Sequence, residues 1–269
     1  MRRTLALCLL LLTAGLPFGA ADAAVIRSWD DANQKGGDLF NSLSGFGYEP
    51  FENALLARQH IVLPGIAELT ANNLLGVNVF FWGSSEHILS ASEQTVLSDF
   101  INAGGLIILE TDSDQAFPDE QAAANSAYVA LGLAVIDPTV SGVASADQGT
   151  FANIVTSTTV GPLGDLRSLT WAGSPSPGVP GGGAVIGALG GSNKWVEYAV
   201  GSGGVLGVAD PFGLSTFTRD TSSFYNPNNL NAYLNFIENA APVPEPGSLM
   251  LVGSGLVGLA AWRRRKRVS

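Results

Sequence analysis

The chain has 269 residues, 46% hydrophobic and only 13% charged, which excludes an intrinsically disordered chain and suffices for one substantial core. The formal net charge is -10, and the basic residues crowd the two ends. Between Val25 and Ala241 only Arg27, Lys35, Arg58, Arg167, Lys194 and Arg219 face 21 acidic residues. That field repels a phosphate backbone, so nucleic acid is excluded as an expected partner, and cations or neutral polymers such as glycans fit better.

The first stretch reads as a secretory signal peptide over residues 1–23. Met1-Arg2-Arg3 is its basic region, Leu5 to Leu12 its apolar region, and Ala21-Asp22-Ala23 a small-x-small cleavage site before Ala24. The lone cysteine, Cys8, lies inside the apolar region, so the processed chain has none. Disulfides, thiolate metal sites and cysteine nucleophiles are thereby excluded.

Residues 24–241 are expected to form one acidic α/β domain. Val25 to Trp29 reads as a first strand, Asp38 to Phe46 as a short helix, and Tyr48 to Phe51 as a second strand. Glu52 to Leu75 stays ambiguous, its helical stretches broken by Pro64-Gly65. Val77 to Trp82, β-branched and aromatic, predicts a buried strand. Ser90 and Glu93 have the capping-box spacing of a helix start. Val96, Leu97, Phe100 and Ile101 then share one helical face, and Gly104 is placed to end the helix. Leu106 to Leu109 is the next strand, which completes a βαβ crossover and predicts a parallel sheet flanked by helices.

Further on, Asp119 to Leu131 predicts a helix, and Leu133 to Ile136 and Phe151 to Val160 read as extended. Gly173 to Ser192 is rich in Gly, Pro and Ser, a long loop with one short strand at Ala184 to Leu189. Lys194 to Val200 and Val205 to Ala209 predict an antiparallel hairpin across Gly201-Ser202-Gly203-Gly204. Leu230, Tyr233, Leu234 and Ile237 mark a last helix. No internal repeat is visible.

The tail has three parts. Residues 242–247 hold Val243, Pro244, Glu245 and Pro246; residues 248–262 are an apolar run; residues 263–269 hold Arg263, Arg264, Arg265, Lys266 and Arg267. The apolar run predicts a short transmembrane helix, below the roughly 20 residues of a comfortable span. The basic cluster should stay on the cytoplasmic side.

These three parts in this order resemble the PEP-CTERM sorting signal of Gram-negative bacteria. That resemblance implies processing by an exosortase-type membrane protease. It also implies export across the inner membrane as a membrane-anchored precursor, then sorting to the cell surface or extracellular polymer layer.

The domain, through Ser90-Ala-Ser-Glu93, Gly104-Gly105 and Gly201 to Pro211, resembles a class I glutamine-amidotransferase-like domain. That likeness implies a single flavodoxin-like, mostly parallel α/β sheet with an antiparallel C-terminal hairpin. Its catalytic cysteine has no counterpart here, so the likeness implies a non-catalytic relative used for binding or as a structural body.

Ligands of parallel α/β sheets gather outside the carboxyl ends of the strands. The loops after Trp82, Leu109 and Ala209 are therefore the candidate sites. Ser84, Glu86, His87 and Glu110 form a candidate ligand loop set. Asp112, Asp114 and Asp210 could hold a hard cation, calcium by their oxygen chemistry, although no EF-hand spacing is present. Solvated loop carboxylates and helix caps, with Asp119 and Glu120 close behind, are the plainer account. A hydrolase built on Ser84 or Ser85 with His87 and Glu110 or Asp112 lacks a Gly-x-Ser-x-Gly elbow. His60 reads as a structural or surface residue. Extracellular polysaccharide could bind exposed aromatics among Trp171, Trp195, Tyr198 and Tyr225. Trp195 and Tyr198 have opposite strand parity, so at most one is expected to face the core.

The expected protein is thus exported, surface-sorted and without a defensible catalytic apparatus. A calcium- or glycan-binding module or a secreted hydrolase is the alternative.

Overall fold

The computed structural model describes residues 23–30, 42–43, 48–111, 118–136, 147–150, 156–166, 168–171, 179–189, 192–209 and 227–240. They fall within one compact unit, Ala23–Pro242. The elements in chain order are β1 (Val25–Ser28), α1 (Glu49–Ala57), β2 (Ile61–Val62), β3 (Val79–Trp82), α2 (Ala91–Asn102), β4 (Leu106–Thr111) and α3 (Pro118–Ala130). Then come β5 (Asp147–Thr150), β6 (Val160–Gly161), β7 (Gly164–Asp165), β8 (Ser168–Trp171), β9 (Ala184–Leu189), β10 (Ser192–Val200), β11 (Gly203–Ala209) and α4 (Pro227–Ala240).

Seven strands make one sheet in the order β2-β1-β3-β4-β11-β10-β9. β2, β1, β3, β4 and β11 pair in parallel, and β10 runs antiparallel to both β11 and β9. The expected mixed α/β sheet with antiparallel C-terminal strands is therefore present. Both faces are covered, as a parallel sheet requires. Ile26, Phe81, Ile108 and Leu206 pack with Phe51 and Leu55 of α1 and Tyr233 and Ile237 of α4. Phe80, Trp82, Ile107 and Val205 pack on the other face with Leu97 and Ile101 of α2 and Ala124 and Tyr128 of α3.

The local signals of the crossover act as their chemistry dictates. The Ser90 side chain accepts from the Glu93 amide while the Glu93 carboxylate accepts from the Ser90 amide, so two of the first-turn donors are satisfied reciprocally. Gly104 has φ +99, a left-handed conformation that costs glycine nothing and breaks the helix before β4.

Three expectations are corrected. Tyr48 to Phe51 begins α1 instead of forming a strand: Pro50 and the first-turn acids Glu49 and Glu52 favour a helix N-terminus, and Phe51 and Leu55 then share one buried face. Leu133 to Ile136 joins no strand. Thr156 to Thr159 is a turn, because each of those two threonines accepts the other's amide through its hydroxyl, a local alternative to pairing. Asp38 to Phe46, apart from Ser42 and Leu43, lies outside the described residues, as do residues 242–269. Among the described residues no helix is long and apolar enough to cross a membrane.

Candidate functional site at the carboxyl edge of the sheet

The chain leaves β1 toward the edge strand β2 and then returns to β3 on the other side of β1. Strands β1 and β3 therefore flank the point where the connections diverge, the place where open α/β sheets receive ligands. Trp29 follows β1 and Trp82 ends β3, their ring centroids 5.1 Å apart in a T-shaped contact. The His87 ring lies 4.8 Å from that of Trp29. All three belong to the α2/α3 side of the sheet through the cluster that holds Trp29 and Trp82.

The loop after Trp82 is closed by hydrogen bonds to α2. His87 Nε2 lies 2.9 Å from Oε1 of Glu93, which also accepts the Leu69 amide at 3.1 Å. Glu93 Oε2 accepts the Ser90 amide at 2.9 Å and the Ser90 hydroxyl at 2.8 Å. Burial raises the pKa of this carboxyl, but the donors of Ser90, Leu69 and His87 outweigh it and hold it below the usual range. Ser85 Oγ accepts the His87 amide at 3.1 Å, and Ser85 and Ser84 are both buried. Glu86 is partly exposed on the same loop. Among the described residues Trp29 Nε1, Trp82 Nε1 and Ser84 Oγ are buried without a hydrogen-bond partner. The two indoles are donors only, and the hydroxyl can donate or accept.

Glu110 sits at the carboxyl end of the central strand β4 but turns to the opposite face. Its Oε1 accepts the Tyr233 hydroxyl at 2.5 Å and its Oε2 accepts the Tyr48 hydroxyl. Complete burial pushes its pKa up to about 8, against the lowering effect of the two hydroxyls. At neutral pH the group is therefore mostly the uncharged acid.

The expected set is thus split by the sheet. Ser84, Glu86 and His87 share one loop, whereas Glu110 is sealed between α1 and α4 on the other face. His87 and Glu110 do not converge on one reacting position. Asp112, Asp114, Asp210 and Tyr225 lie outside the described residues, as does the side chain of Trp171. Among the described residues no three His, Cys, Asp or Glu side chains are grouped to hold a metal ion. Trp195 and Tyr198 are both buried, at 0% and 2% exposure. Opposite parity puts them on opposite faces, and both faces are covered, which corrects the expectation that at most one turns inward.

His60 is structural, with its side chain 2% exposed. Residues that local patterns do not reveal complete the picture. Tyr48 and Tyr233 clasp Glu110, and Arg58 holds Glu238 through both Nε and Nη2. The signal available in sequence was Glu110 itself, the only charge in the apolar run Leu106 to Thr111. At the other edge of the sheet a cavity of about 620 Å³ is lined by Thr156, Ser157, Glu197, Tyr198, Ser202 and Phe236. There Glu197 accepts both amide and hydroxyl from Ser157 and from Thr158, so its carboxylate is a clamp for that turn.

Residues 242–266 match the PEP-CTERM protein-sorting motif. The match supports the reading of the chain as an exosortase substrate. The PEP-CTERM motif marks a protein exported and sorted to the surface of Gram-negative bacteria by an exosortase, a membrane protease. Two solved structures share the fold of the domain. The N-terminal domain of mmIFT52 is 12% identical with a TM-score of 0.55, over 80% of this chain and 97% of that one. Cytoplasmic protein STM1381 from Salmonella typhimurium LT2 is 14% identical with a TM-score of 0.52, over 81% of this chain and 99% of that one. At such identity the likeness concerns fold alone. No curated protein matches the sequence.

Proposed function

We propose that this PEP-CTERM protein is a non-catalytic, binding component of the cell envelope or extracellular polymer matrix. The sorting motif carries the reading, since it fixes where the domain works. The separation of His87 from Glu110 and the locking of His87 by Glu93 support binding over hydrolysis. The parallel order β2-β1-β3-β4-β11 supports a flavodoxin-like, glutamine-amidotransferase-like body without its cysteine.

In this reading the signal peptide of residues 1–23 is removed, residues 248–262 hold the precursor in the inner membrane, and exosortase cleavage near Val243 to Pro246 releases the domain. The surface form should then lack Trp262 by intact mass, while cells without exosortase keep a full tail in the membrane fraction. A surface form that retains Trp262 overturns it.

The unpartnered donors of Trp29, Trp82 and Ser84 favour a polyhydroxylated ligand, whose ring and hydroxyl oxygens accept hydrogen bonds. Retention of the purified protein on extracellular polysaccharide tests this. Turnover of ester or glycoside substrates that His87→Ala abolishes would replace the binding reading by the hydrolase. Calcium at Asp112, Asp114 and Asp210 is a separate proposal, and calorimetry without calcium uptake removes it.

A further inference from the structure

The small-x-small triplet Ala21-Asp22-Ala23 places the leader cut before Ala24. In the fold Ala23 is exposed, whereas Ala24 is 3% exposed and opens the core. The residue is held on every side. Its carbonyl accepts the Ile61 amide at 2.9 Å, and the next amide, of Val25, donates to Asn78 Oδ1 at 2.8 Å. The Ala24 nitrogen itself donates to Nδ1 of His60 at 3.1 Å, in a buried contact.

The partner is unusual for a buried backbone amide, which ordinarily finds a carbonyl oxygen. An imidazole nitrogen accepts equally from an amide and from an amine. Because Nδ1 accepts, the ring carries its hydrogen on Nε2, and that atom stands 3.5 Å from Oε1 of Glu238. Burial lowers the His60 pKa, with Glu238 opposing, which keeps the Nδ1 lone pair free of a proton. Glu238 in turn is gripped by Arg58, whose Nη2 lies 2.6 Å from Oε2.

We propose that His60 is the seat of the processed amino terminus. Hydrolysis of the Ala23–Ala24 bond adds water across the amide and leaves a carboxylate on Ala23 and an ammonium on Ala24, one of whose N–H groups donates to His60 Nδ1. The proposal rests on Ala21-Asp22-Ala23 being the cut. It ties the new terminus, through His60 and Glu238, to the last turn of α4, a few residues before the sorting motif. It also orders events. A peptidase needs its substrate extended and accessible, and β1 is buried and paired on both sides, so the cut precedes the docking of β1.

The test uses the exported, processed protein. Intact mass should place its terminus at Ala24. An amine-acylating reagent should modify the native α-amine about tenfold or more slowly than the urea-unfolded one, the ratio set by local opening. His60→Leu should bring labelling to the rate of an exposed terminus, and His60→Asn, whose Oδ1 accepts from the same side, should restore most of the protection. A terminus elsewhere, or native labelling at the unfolded rate, overturns the proposal. If His60→Leu does not accumulate, the native-to-unfolded ratio of the wild type decides alone. Failure of exosortase processing would leave this result untouched, so the two readings fail separately.

Discussion

Glu110 shows what one buried carboxyl does to a stability profile. Its pKa in the folded chain, about 8, lies above the ordinary 4.5. Between those values the folded state holds a proton that the unfolded chain has released, so each rise in pH costs stability until the folded group ionises. The loss accumulates to a few kcal/mol at most and levels off above pH 8. Glu110→Gln keeps shape and neutrality and should remove this slope: it should melt higher than wild type above pH 8 and converge with it toward pH 4.5. Identical slopes for both proteins would refute the assignment. Glu93 is the reverse case, a carboxylate stabilised by four donors. Glu93→Ala leaves the Leu69 and Ser90 amides without that acceptor and should cost about 2–4 kcal/mol in urea unfolding, with Glu93→Gln losing less. A loss under about 1 kcal/mol would show that water replaces the contacts.

Among the elements, the hairpin start at β11 is the tightest. A Cβ on Gly203 would stand 2.1 Å from the Gly105 carbonyl oxygen and 2.7 Å from that of Ile101. Backbone cannot yield as a flexible side chain does, so Gly203→Ala should cost about 3 kcal/mol and lower the melting temperature accordingly. What sequence revealed here follows from the range of each signal. β3, α2 and β4 were legible because a β-branched run, a capping box and a glycine stop act within a few residues. Tyr48 to Phe51 was not, since its aromatics suggested a strand and its helix depends on Phe51 and Leu55 finding the sheet together. Thr156 to Thr159 misled in the same way, strand-forming residues whose hydroxyls bond locally instead. At the candidate site, Glu110 stood out as a lone acid, but its partners Tyr48 and Tyr233 are 62 and 123 positions away, beyond any local pattern. The facing direction of Trp195 and Tyr198 depended on whether one face of the sheet or both would be covered, which no strand carries in its own alternation.

At the scale of the molecule the parallel strands define two edges. The loop of Ser84 to His87 lies at the carboxyl edge, and the start of β1 and the end of α4 meet at the other, both touching His60. The sorting motif lies outside the compact unit of Ala23–Pro242. Replacing Glu245 and Pro246 by alanine should therefore block maturation, leaving Trp262 in the intact mass, while the melting temperature stays unchanged. A shifted melt would show that the motif packs on the domain. The shared position of Ala24 and Glu238 at His60 has one more consequence. In the proposed maturation the leader cut comes before the docking of β1, so the folded domain would be held at this edge by the segment after Ala240 alone. On that proposal the two failures would differ, an uncut leader burdening the start of β1 and an uncut tail the end of α4.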